Sequence, residues 1–259
     1  MLTLFTHFNA VCGQKVQLIL HELSLNFTFH PVNLRDSEQY SSWFLKLNAK
    51  GQVPVLLDDT KVLTESTDIC FYLDDKFNGG LLNPSKITQN HTAQKWLDFI
   101  DNEIHMASSI LSWCVGIRPE ILKKSELEIE QHLNSIPSAK KQHKRTKILK
   151  LGLDLPDLST SISHYKVLLT KMARLLAHKN YLCGDQFTIV DIATLPYIER
   201  LTLLSLASMW QEYPEICQWH QRMTQLKGYQ ACFNDSYPPG FKQRWHEYGE
   251  LAKDKLFSE

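Results

Sequence analysis

Gln52-Val53-Pro54-Val55-Leu56-Leu57-Asp58-Asp59-Thr60-Lys61-Val62-Leu63-Thr64-Glu65-Ser66-Thr67 decides how the amino-terminal part of this chain folds. Val55-Leu56-Leu57 and Lys61-Val62-Leu63 are short β-prone runs on either side of an acidic turn, the pattern of a hairpin. A helix starts at Glu65, because Ile69, Cys70, Tyr72, Leu73 and Phe77 fall on one stripe and Asn78-Gly79-Gly80 supplies a stop. Upstream, Leu2 to Thr6 alternates as a strand, and Cys12 to Leu23 places Val16, Leu18, Ile19, Leu20 and Leu23 at helical spacing. Phe27 to Val32 reads as a second strand, and Trp43, Phe44 and Leu47 mark a short helix over Ser41 to Leu47. The order is therefore βαβαββα, an α/β unit with a four-stranded mixed sheet, complete by about residue 80.

Downstream the pattern turns helical. An amphipathic helix is expected from Thr88 to Gly116, with Trp96, Phe99, Ile100, Ile104 and Leu111 on its apolar side, and another from Leu158 to His178. Thr188 and Asp191 stand in the capping-box positions of a third helix that runs through Tyr197 and Leu201. The expected organisation is a first domain over residues 1–80 and an all-α helical bundle over 88–259. Residues 118–157 interrupt that bundle with Glu126, Glu128 and Glu130 and then six basic residues from Lys140 to Lys150. This excursion reads as a solvated helix-turn-helix, as a patch for an anionic partner, or as a lid over a pocket.

Lys plus Arg and Asp plus Glu are 28 each, so overall charge draws the protein neither to nucleic acid nor to an anionic membrane. The basic run has no interleaved aromatic residue, which argues further against nucleic acid. No apolar stretch approaches the roughly 20 residues of a membrane span, and no signal core follows the amino terminus, so a cytoplasmic protein with small ligands is expected. Six cysteines without a CxxC pair suggest neither a disulfide framework nor a zinc module, and no metal is expected.

Two short motifs carry chemistry. Pro54, placed before a strand, can hold a cis peptide and turn the Val53 N–H and C=O outward, where an extended peptide ligand could pair with them. Thr64-Glu65-Ser66-Thr67 opens a helix whose unpaired N–H groups suit a carboxylate; Ser66 could add a hydroxyl and Glu65 could accept from an ammonium group. Such a pair fits an α-amino-acid zwitterion.

With Asn48-Ala49-Lys50-Gly51-Gln52-Val53-Pro54, Thr64-Glu65-Ser66 leading to Ile69-Cys70-Phe71-Tyr72-Leu73, and Thr188-Ile189-Val190-Asp191 followed by Ala193, the chain resembles the cytosolic glutathione transferases along nearly its whole length. The resemblance implies a thioredoxin-like first domain that binds glutathione as co-substrate. Val53, followed by Pro54, would pair with the cysteinyl backbone, Glu65 and Ser66 would hold the γ-glutamyl end, Gln52 would assist, and Gln39 would reach the glycyl carboxylate. A homodimer is implied as well. Within that family, Ser42-Trp43-Phe44, Trp113-Cys114-Val115 with Gly116-Ile117, and the excursion with Ile136-Pro137 resemble the bacterial glutathione-dependent β-aryl etherases.

Such chemistry needs the glutathione sulfur held as thiolate where the first strand runs into the first helix, here His7-Phe8-Asn9-Ala10-Val11-Cys12-Gly13. Relatives with a serine activator place it at the positions aligned with Ala10 or Val11, which are apolar in this chain. The candidates are Cys12, as donor or as nucleophile, and Asn9, as amide donor. His7 and the backbone N–H groups around Cys12 and Gly13 are further possibilities. Phe8, Trp113, Ile117 and Tyr197 are expected to line the pocket for a hydrophobic electrophile. Attack of glutathione thiolate on an aromatic electrophile, by conjugation or ether cleavage, is the leading reading. A Cys12-dependent thiol transferase or reductive dehalogenase, and a glutathione-binding protein without catalysis, are the alternatives.

Overall fold

A computed structural model describes residues 1–84 and 92–257. Strands β1 (Leu2–Thr6), β2 (Phe27–Pro31), β3 (Val55–Asp58) and β4 (Lys61–Leu63) form one sheet in the order β2-β1-β3-β4. β1 runs parallel to β2, with Leu4 opposite Phe29, and antiparallel to β3, with Leu4 opposite Leu56. Alternation along the strands sorts side chains between two faces. Leu2, Leu4 and Leu56 join the main core, whereas Phe5 and Val55 pack with Val32 and Phe44 in a small second core.

Helices α1 (Val11–Glu22) and α3 (Ser66–Asn78) supply Val16, Leu18, Ile69 and Leu73 to the main core; α2 (Ser42–Leu47) supplies Phe44 to the other. Ser41 caps α2 by accepting from the Phe44 N–H at 3.4 Å. α3 begins at Ser66 rather than Glu65, which is its N-cap with φ +65°, a strained value for a residue bearing a side chain.

Among the described residues, the elements after the sheet are helices, apart from one isolated bridge between Tyr181 and Gly184. Helix α4 covers 92–121, with wide π turns at Ile100–Ile104 and Ser112–Ile117. Its expected beginning at Thr88 lies outside the described residues. It does not stop at Gly116: a Cβ there would lie 2.7 Å from the Trp245 ring, so this glycine permits a close helix approach and the chain continues helical past it. The excursion contains α5 (Glu126–Asn134), opened by a Ser125–Glu128 capping box, and α6 (Ala139–Leu151), capped by Ser138. α7 (Pro156–Leu176) starts with proline in its first turn, where a missing N–H costs nothing.

α8 (Ile189–Leu203) is the central helix, with every residue buried except Glu199 and Thr202. Its start is fully occupied. Thr188 accepts from the Val190 N–H, and the buried Asp191 carboxylate accepts from Leu182 N–H at 2.9 Å, Trp219 Nε1 at 2.9 Å and Thr188 N–H at 3.0 Å. α9 (Pro214–Met223) and α10 (Phe241–Phe257) complete the bundle. No helix among the described residues is long and apolar enough to cross a membrane.

Candidate active site

The junction from β1 to α1 is shaped by sequence details on both sides. Gly13 allows the first turn of α1 to press on β1, since a Cβ would fall 2.0 Å from Thr6 Oγ1. Ala10 is the N-cap and offers no side-chain acceptor, so the first amides of α1 and its positive dipole end remain unclaimed by a cap. Phe8 packs edge-on against Tyr237 and Phe241, with ring centroids at 5.8 and 5.0 Å, while its carbonyl accepts from Gln14 Nε2 at 3.1 Å. The loop is thereby seated against the carboxyl-terminal helices.

Asn9 is gripped from α8. The buried guanidinium of Arg200 donates through Nη2 to the Asn9 carbonyl at 2.6 Å and to Asn9 Oδ1 at 2.9 Å, and through Nη1 to Ser112 Oγ at 3.0 Å. Arginine has only donors, so the amide must face it with its oxygen. The donor end, Nδ2, is thereby turned away from the guanidinium. His7 beside it accepts from the Asn9 N–H at 3.2 Å; burial, and then the charges of Arg35 and Arg200, hold its pKa down at about 4, so it is neutral near pH 7.

Cys12 lies in the first turn of α1 with its Sγ 3.5 Å from His105 Nδ1 on α4. Burial alone would raise its pKa, but the charge and hydrogen bond of His105, the charge of Lys15 and the Ser66 hydroxyl prevail and bring it down to about 7. The same thiolate raises the pKa of His105 against the effect of burial. Tyr197 Oη sits 3.3 Å from His105 Nδ1, and burial keeps this phenol protonated. Lys15, whose side chain is fully buried, pairs with Asp101 at 2.6 Å, and Thr67 Oγ1 donates to the other oxygen of that carboxylate at 2.6 Å. The starts of α1 and α3 thus meet around Cys12, since Ser66 and Thr67 both reach into this group.

On the sheet side of the site the Val53–Pro54 peptide is cis. Asn48 Nδ2 donates to the Gln52 carbonyl at 2.8 Å, Gln52 is exposed, and Glu65 forms an exposed pair with Lys50 at 2.6 Å. Gln39 is buried, its Oε1 without a partner. Gly51, at φ +57°, lets the Tyr40 ring lie against the backbone, where a Cβ would be 2.6 Å away. Of the residues expected to line a pocket, Phe8, Trp113 and Ile117 retain partial exposure. Tyr197 is a correction: it has no exposed surface and stands behind the site as a support for His105. α8 is buried on nearly every side, so helical period does not separate a pocket face from a core face.

Sequence reasoning missed His105, Lys15, Asp101 and Arg200. Lys15 carried the one available signal, a cation amid the apolar positions of α1; the others are polar residues on long helices whose partners lie far away in the chain.

Residues 11–76 match the family model of the glutathione S-transferase amino-terminal domain and residues 163–227 that of the carboxyl-terminal domain, between them just over half of the 259 residues. Protein LigF of a Sphingobium strain is 27% identical, the match covering 88% of this chain and 91% of that protein. Its solved structure, described as a beta-etherase, superposes with a TM-score of 0.78 over 90% of this chain and 98% of that one. Glutathione S-transferase GstB of Escherichia coli is 25% identical over 87% of this chain and 94% of its own length.

Proposed function

The chain belongs to the glutathione S-transferase family, and from that membership we propose that it catalyses attack of glutathione thiolate on a hydrophobic aromatic electrophile, by conjugation or by β-aryl ether cleavage. The observation that carries this reading is the β1–α1 junction: an uncapped helix start beside an amide donor, Asn9, whose orientation is imposed by Arg200. Glutathione lies with its cysteinyl backbone along Val53, next to Pro54 and Gln52. Its γ-glutamyl end sits at Glu65 and Ser66, and its glycyl end at Gln39. The sulfur then faces Asn9 Nδ2 and the first amides of α1. Preorganised donors of this kind favour the thiolate over the thiol without needing a hydroxyl activator. The thiolate attacks the carbon that carries the leaving group; the C–S bond forms as the bond to aryloxide or halide breaks, and an aryloxide leaving group takes its proton from solvent. Phe8, Trp113 and Ile117 contact the electrophile, and the protein acts as a homodimer.

A second reading is favoured by the Cys12–His105 pair, in which Cys12 attacks a glutathionyl conjugate or mixed disulfide itself. Rates of conjugation to an activated aryl halide and of exchange with a glutathione mixed disulfide, measured on wild type, Asn9→Ala and Cys12→Ser, separate the two. Conjugation lost in Asn9→Ala and kept in Cys12→Ser supports the first reading. Exchange lost only in Cys12→Ser supports the second. Retention on immobilised glutathione without turnover of either substrate overturns both in favour of a binding protein.

A further inference from the structure

The basic run of the excursion has a specific place in the molecule. Arg145 on α6 lies with its guanidinium 3.8 Å from the ring centroid of Trp113, and its Nη1 is buried without a hydrogen-bond partner. On the same indole, His132 of α5 stacks at 6.4 Å and 29°, and its Nε2 is also buried and unpartnered. The other wall is the loop between β2 and α2. Ser37 Oγ lies 3.3 Å from His132 Nδ1 and 2.7 Å from Ser135 Oγ, and the Tyr40 hydroxyl is near enough to act on the charge of Arg145. Lys141 Nζ reaches across to the Lys50 carbonyl at 3.3 Å. Gln39, only 9% exposed, belongs to the same loop.

The charges here do not cancel. Burial brings the Arg145 pKa down to about 10, which leaves the guanidinium fully charged at neutral pH. Lys141 and Lys144 are pushed down by burial and then by the charge of Arg145, as is His132 by burial, Lys124 and Arg145. Two acids act nearby: Asp36 on His132, and Asp157 on Lys144, the latter paired with Lys147 at 3.6 Å. Among the described residues no carboxylate lies within ion-pair distance of Arg145. A half-buried cation with a buried, unmated donor is stable in company with an anion that brings acceptors.

We propose that Arg145, flanked by His132 and lying over Trp113, forms a carboxylate subsite that closes the ligand site from the excursion side. The planar fork of arginine matches two carboxylate oxygens, and the indole beneath it fixes the plane of the fork. This rests on the glutathione reading above. The carboxylate has two chemical sources, the glycyl end of glutathione or an acid group on the aryl electrophile.

Dissociation constants of glutathione and of its glycyl monoethyl ester, measured by titration calorimetry on wild type, Arg145→Met and Arg145→Lys, form one arm. The other compares kcat/KM for 4-chloro-3-nitrobenzoate and its methyl ester on the same proteins. For a glycyl source, wild type prefers glutathione over the ester by about 10-fold, and the preference collapses in Arg145→Met and is partly kept in Arg145→Lys. For an electrophile source, the benzoate is preferred by a similar factor and Arg145→Met loses that preference alone. Each ratio is internal to one protein, so a partly unfolded variant does not imitate the result. Wild type that binds glutathione with both ratios unchanged in Arg145→Met overturns the subsite and leaves the functional reading intact. Wild type that does not bind glutathione overturns that reading and the subsite with it.

Discussion

The starts of α8 and α1 are built in opposite ways. At α8 the end is saturated: Thr188 caps Val190, and Asp191 collects donors from Leu182, Trp219 and Thr188 in a site with no exposure. At α1 the N-cap is alanine, the acceptor of a capping side chain is missing, and a thiol of lowered pKa stands in the first turn beside His105 and the Lys15–Asp101 pair. Saturation gives stability and leaves nothing to offer; vacancy forgoes a cap and keeps a field for an incoming anion. α3 sides with α1, since Glu65 makes no side-chain cap and adopts a strained backbone.

Removing the saturated end has the largest expected effect. Asp191→Ala strands four buried donors, and the loss of stability in urea is expected to be about 3 kcal/mol or more. If the loss were below about 1 kcal/mol, the contrast between the two ends would fail.

At the vacant end, Asn9→Ala is expected to lower kcat/KM for glutathione conjugation about 10- to 100-fold with little change in melting temperature. Asn9→Asp sharpens the point: it keeps an oxygen for Arg200 and deletes the amide donor, so it should be as inactive as alanine.

Cys12 gives a pH test. With its pKa down at about 7, alkylation by iodoacetamide should rise with pH through an inflection there and level off above it. The thiolate is lost as pH falls through that value; any stability it brings is complete only above the ordinary thiol range. His105→Phe removes the main source of stabilisation and should move the inflection up by about one unit or more.

The smallest effect comes from making α1 resemble α8. Ala10→Asp supplies the missing cap and is expected to raise stability by about 0.5–1 kcal/mol. The added carboxylate should also raise the Cys12 inflection and weaken glutathione binding. Unchanged binding would show that the open end is incidental.

Much of the fold was legible because it depends on short-range signals. The hairpin around Asp58-Asp59-Thr60, the strand alternation of Leu2 to Thr6 and the Thr188–Asp191 box lie within a few residues of one another. For the candidate site, the sequence offers candidates where they follow the chain, at Asn9, Cys12, Val53 and Ser66, and none where side chains meet across it. Cys12 meets His105 across 93 residues and Asn9 meets Arg200 across 191, and no local pattern distinguishes a helix histidine or arginine that reaches a distant loop. Tyr197 and Gly116 were misread for related reasons, one on a helix without a free face, the other a glycine whose role is set by Trp245.

α8 carries Asp191 near one end and Arg200 near the other, nine residues and about 14 Å along the axis. A single helix therefore links the bundle's anchor to the β1–α1 loop. This gives the molecule an asymmetric capacity for evolutionary change. Substitutions in the loop at Asn9 to Cys12 leave the anchor's hydrogen bonds in place, but a change at the anchor is felt by folding and by Asn9 alike. Divergence of chemistry has an open route on one side of this helix and a closed one on the other.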